Sequence, residues 1–103
     1  MNATLYLPQQ PPSIVSAQGL CIPNATTGFV RIPAQVPALL GCALELVDVL
    51  ASGPDYVAYS IFDCEGDINP AAMAAVAEVS GVSFDLSDED TLLCGAVLVV
   101  RNS

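Results

Sequence analysis

Four cysteines and eleven carboxylates are the residues of this 103-residue chain with chemistry to offer, and their spacing narrows what that chemistry is. Cys21, Cys42, Cys64 and Cys94 follow one another at intervals of 21, 22 and 30, with no CxxC pair and no histidine anywhere. That spacing does not read as a zinc site, for which short Cys/His pairs are needed. It reads as two disulfides, each closing a long loop, with the three pairings left open. Asp63-Cys64-Glu65-Gly66-Asp67 places acids at alternate positions, as the start of a calcium loop does. There the likeness stops, because the glycine comes at the fourth position and Ala74 stands where a bidentate glutamate is required. The segment reads as a solvated turn.

Nucleophilic and acid–base catalysis recruit histidine, lysine, reactive cysteine or paired carboxylates. The chain has no histidine and no lysine, so Ser/His/Asp and Cys/His arrangements are ruled out. A carboxylate pair of the glycoside-hydrolase kind is the remaining option, and the acids are expected in turns rather than in an apolar cleft. The expectation is that the protein is not an enzyme and needs no cofactor. Tyr56, Tyr59, Phe62 and Phe84 read as core and cross-strand partners.

Charge is sparse and one-sided. Asp and Glu number eleven against two arginines, for a formal net charge of −9. All the acids lie between Glu45 and Asp90, where there is no base; Arg31 and Arg101 flank that stretch. A field this negative argues against nucleic acid and anionic lipid as partners. The longest apolar run is too short to cross a bilayer, so no transmembrane segment is expected, and no signal peptide is visible at the start. Two sequons, Asn2-Ala3-Thr4 and Asn24-Ala25-Thr26, offer glycosylation at Asn2 and Asn24. With the even cysteine count, they predict an extracellular, secreted protein.

One domain suits this length. The stretch Leu92–Val100 is uncharged and aliphatic, and reads as a buried central strand. Leu93, Val97 and Val99 would face one side of it and Cys94, Ala96, Leu98 and Val100 the other. Residues 1–27 read as an extended Pro-rich arm and 28–103 as the core. Ala3–Leu7 and Ser13–Ala17 are short strand candidates, held to sheet edges by Pro8, Pro11 and Pro12. Gly28–Ile32 follows as a strand. A first helix is expected over 36–51, started by Pro37 and stopped at Ser52-Gly53-Pro54, with Leu39, Leu40, Ala43, Leu46, Val47 and Leu50 as its apolar stripe and Glu45 and Asp48 facing outward. Tyr56–Phe62 reads as a strand, with Tyr56, Ala58, Ser60 and Phe62 on one face and Val57, Tyr59 and Ile61 on the other. Asn69-Pro70 and Gly81 bracket a second helix over 70–79. Val82–Ser87 alternates as a half-exposed strand, and Asp88-Glu89-Asp90 forms the turn back.

These elements predict an α+β fold: a two-layer sandwich with two helices on one face of a small, largely antiparallel sheet, stapled by disulfides. The second face of the central strand would then be buried by residues 1–32 or by another copy of the chain. In its four spaced cysteines and its alternation of helix and strand, the chain resembles the small secreted cysteine-containing proteins of fungi, including effectors, elicitors and killer-toxin-like α/β sandwiches. It departs from hydrophobins, having four cysteines and no adjacent pair. The resemblance implies a secreted, non-enzymatic interaction protein that binds a surface or protein partner, self-association included. An amphiphilic surface-coat or surfactant protein and a small toxin are the alternatives.

Overall fold

The computed structural model describes residues 2–16, 34–53, 55–61, 67–81 and 93–101. The strands expected at Gly28–Ile32 and Val82–Ser87, the turn at Asp88-Glu89-Asp90, the calcium-loop likeness from Asp63 to Gly66, and Cys21, Asn24 and Cys64 lie outside those residues. The described chain runs β1 (Asn2–Tyr6), β2 (Ser13–Val15), α1 (Gln35–Leu40), a 3-10 turn (Leu44–Leu46), β3 (Val47–Gly53), β4 (Tyr56–Ile61), α2 (Pro70–Ser80) and β5 (Val97–Arg101). Its five strands form one sheet in the order β2-β1-β5-β4-β3, and every neighbour is antiparallel.

β5 is the middle strand; it begins at Val97, later than the strand expected from Leu92, because Gly95 takes a left-handed φ of 72° just before it, and from Val97 on its residues divide between the faces as the period of two requires. Leu93, Val97 and Val99 pack with Ala58 and with Ala72, Met73 and Val76 of α2. Ala96, Leu98 and Val100 pack on the other side with Ala3, Val57, Tyr59, and Val36 and Leu40 of α1. The two helices therefore lie on opposite faces of the sheet. That corrects the expected two-layer sandwich with both helices on one face: the molecule is mostly antiparallel sheet, with one full helix, α2, and a six-residue helix, α1, against the reverse side.

The expected helix over 36–51 breaks in two for a local reason. Gly41 takes a left-handed conformation (φ 76°) and its N–H donates to Pro37 O at 2.8 Å, closing α1 after Leu40. Glycine adopts that conformation without the penalty a Cβ would bring. Beyond it, Val47 and Val49 turn to the α1 face while Asp48 is exposed, which is strand alternation rather than a helical stripe. Gly53, read in the sequence as a helix stop, is the last residue of β3, and a Cβ there would collide with the ring of Tyr56. The pairing of β3 with β4 shifts register between Val49 and Ala51, a bulge that puts an extra residue into β3.

Residues 2–15 enter the sheet instead of lying across it. β1 pairs with β5 along its whole length, from Asn2 opposite Arg101 to Tyr6 opposite Val97, and β2 folds back on β1 through the turn that carries Pro8, Pro11 and Pro12. Ala3, Leu5, Leu7 and Val15 join the α1-side cluster, so this segment widens the apolar face and α1, not the expected arm, lies across it.

The disulfide staple expected of Cys21, Cys42, Cys64 and Cys94 is not seen. Cys94 carries a free thiol, and no disulfide is present among the described residues. The fold keeps Cys42 and Cys94 in different neighbourhoods: Cys42 packs on the α1 side, whereas Cys94 lies in the lead-in to β5, bridged to Ile68 just before α2. Alkylation of the native protein without reductant, followed by intact-mass measurement, is expected to add a label at half-exposed Cys94. A mass showing every cysteine blocked would contradict this arrangement.

Candidate functional site

The helix signals that the sequence displays most plainly also build the site. Pro70 occupies the first helical position of α2, Gly81 closes it with a left-handed φ of 75°, and the Asn69 side chain caps the start by accepting from Ala72 N–H at 3.3 Å. Asn69 does more than cap. Its side-chain amide donates to Tyr6 O at 2.9 Å and to Gly95 O at 2.8 Å, while its backbone N–H donates to Leu93 O at 2.8 Å. One residue, 1% exposed, thus ties the N-terminus of α2 to the end of β1 and to the lead-in of β5.

From that anchored end, α2 runs across the sheet between β5 and β3, with Ala72, Met73 and Val76 packed with Ala58, Val97 and Val99 and with Leu50 beside them. Its next residues round the helix, Ala75, Glu78 and Val79, form one wall of a groove of about 450 Å³. Asn2, Thr4 and Tyr6, alternate residues of β1, line the other side. Val99 contributes to the floor, and Arg101, Asp55 and Tyr56 complete the lining. The register explains the convergence, since Asn2 and Tyr56 are both partners of Arg101 and Thr4 is the partner of Val99. Residues directly opposite in a sheet share a face. The small side chain of Ala75 leaves room in the wall.

Arg101 reaches across to Glu78, with Nη1 and Oε1 3.9 Å apart and the two side chains 53% and 73% exposed. An exposed pair at this distance contributes about 0–1 kcal/mol, so it decorates the groove without fixing its width. Two carboxylates, one guanidinium and two phenols therefore share one concavity. The sequence reading kept the acids out of any cleft, with Glu78 on the second helix and most of the others in turns. Asp55 is in a turn and Glu78 is on α2, but Glu78, Asp55 and Arg101 together as a site went unread. A signal existed: Arg101 has the same parity in β5 as Val97 and Val99, which sends it to the α2 face.

The other sequence candidates scatter. Asp67 is exposed next to Ile68, Asp48 is exposed on β3, and Glu45 is exposed in the 3-10 turn. Among the described residues no three of His, Cys, Asp and Glu gather to hold a metal ion, and no helix is long and apolar enough to cross a membrane. Of the two sequon asparagines, Asn2 lies at the groove, so a glycan there would stand at its mouth. Tyr56 lines the groove, whereas Tyr59 is fully buried in the α1-side core. Compared with family models, with curated proteins and with solved structures, the chain matches none of them.

Proposed function

We propose that this protein acts by binding a partner, without catalysis, and that the groove between α2 and β1 is where the partner is held. The observation that carries the reading is the groove itself, an open concavity on which polar and charged side chains converge around Ala75, Val79 and Val99. Its carboxylates stand in solvent, without the apolar enclosure that a proton-donating acid of a hydrolase needs. The chain brings no histidine or lysine to serve in their place. A secreted, effector-like setting belongs to this reading on the strength of the Asn2 and Asn24 sequons, and the cysteines no longer add to it. The apolar side chains of residues 2–15 favour a binder over a surface coat, because Ala3, Leu5, Leu7 and Val15 pack in the core and Ile14 is the large one left in water.

Panning a library of short displayed peptides against the unglycosylated protein tests the proposal. Peptides are expected to be enriched on the native chain and lost on Thr4→Trp and Ala75→Trp, which fill the groove from opposite walls. Enrichment that survives both substitutions, or none at all, would refute it, provided the variants keep the native melting transition.

A further inference from the structure

We infer that the groove accepts an extended, Lys- or Arg-bearing segment of a partner protein, with the cationic side chain held by the carboxylates of Asp55 and Glu78 beside the rings of Tyr6 and Tyr56. This rests on the interaction reading above and names the class of partner.

Charge favours a cationic guest. The chain carries −9, and Arg101 is the only cationic side chain among the described residues. Inside the groove its charge is matched by Glu78, which leaves Asp55 in excess. A cleft of this sign in a molecule of this sign concentrates cations and repels phosphate and acidic peptides. The rings favour it too, because a phenol face attracts an ammonium or guanidinium and adds to what the carboxylates supply. Shape favours an extended one. Asn2, Thr4 and Tyr6 follow one another along the groove, a span of about 14 Å at strand rise, which matches roughly four residues of an extended guest. β1 is already paired on both edges, with β2 and with β5. The guest therefore cannot add as a further strand beside it and must be gripped through its side chains, which puts the selectivity on their charge.

Four capped tetrapeptides, Ala-Arg-Ala-Arg and its lysine, norleucine and glutamate counterparts, serve as probes, with amide chemical shifts of the unglycosylated protein as the readout. The arginine and lysine probes are expected to shift Thr4, Tyr6, Glu78 and Val99, and the other two to leave them unmoved at equal concentration. Asp55→Asn and Glu78→Gln should each weaken binding about threefold at low salt, in the range of an exposed charge pair, while Asp67→Asn outside the groove changes nothing. Arg101→Gln is the decisive variant: it releases Glu78, so affinity should rise about threefold. A weaker Arg101→Gln, or a norleucine probe that binds as well as the arginine one, would overturn the inference. Groove-dependent peptides from the display selection that are neutral or acidic would sink it while leaving the interaction reading intact. Failure of every probe and of the selection would remove both.

Discussion

Replacing Asn69 with alanine is expected to destabilise the protein by about 2–3 kcal/mol, the sum of a lost helix cap and two partly buried carbonyls that lose this donor. The acceptors concerned are Tyr6 O and Gly95 O, and the uncapped donor is the N–H of Ala72. For a single domain this is a large part of a total of about 5–15 kcal/mol. Urea unfolding followed by circular dichroism gives the number. Asn69→Asp separates the contributions, since a carboxylate keeps the cap but has no amide to donate. It is expected to be as destabilised as Asn69→Ala or worse. A loss within about 1 kcal/mol for either variant would mean that the three elements hold their places without Asn69. Because the same side chain pins α2 against β1, the alanine variant should also lose the groove before it loses the sheet.

Truncating Leu98 to alanine is expected to cost about 2–5 kcal/mol, the usual range for a leucine in a packed core. Leu98 is fully buried in the middle strand and packs toward α1. The neighbouring substitution Val99→Ala removes less volume from the opposite face, where α2 lies, and should cost less. The comparison is informative because the two residues are adjacent in sequence yet belong to different clusters, so their effects should add in the double variant. Strong non-additivity would show the two faces to be one continuous core. An effect of Leu98→Ala below about 1 kcal/mol would contradict the cover that α1 gives to its side of the sheet.

What could be read from the residues alone followed how local its cause was. α2 was legible to within a residue or two because Asn69, Pro70 and Gly81 announce both ends, and each acts through its immediate neighbours. The facing of Val97 and Val99 against Leu98 and Val100 was legible because a period of two leaves no choice within β5, whereas Cys94, expected on the side of Leu98, lies before Gly95 and outside that alternation. The first helix was misjudged because Leu39, Leu40, Leu46, Val47 and Leu50 recur at intervals that suit a helix as well. A left-handed Gly41 and the alternation after it decided otherwise. Which face each helix covers depends on strand order, and β1 lying beside β5 joins residues nearly a hundred positions apart. The groove needs that same long-range pairing to bring Thr4 and Arg101 onto one surface with Glu78, so it was invisible for the same reason. The cysteine reading failed where spacing was asked to stand in for proximity: Cys94 retains its thiol.

The shift of register in β3 has a consequence for how copies of this chain meet. An open sheet ends in two strands with backbone amides on one side unclaimed by the sheet, and a straight edge of that kind is a template for stacking chain upon chain. Among the described residues the outer strands are β2 and β3, and β2 is three residues long and follows Pro11 and Pro12, so it has little to offer. β3 is longer, but the bulge at Val49/Ala51 bends its ladder out of register, and Asp48 stands exposed within the strand. A second molecule approaching β3 would meet a kinked row of donors and a carboxylate. The net charge of −9 already repels a second copy, and the irregular outline of these two strands adds a guard against edge-to-edge growth that salt does not screen.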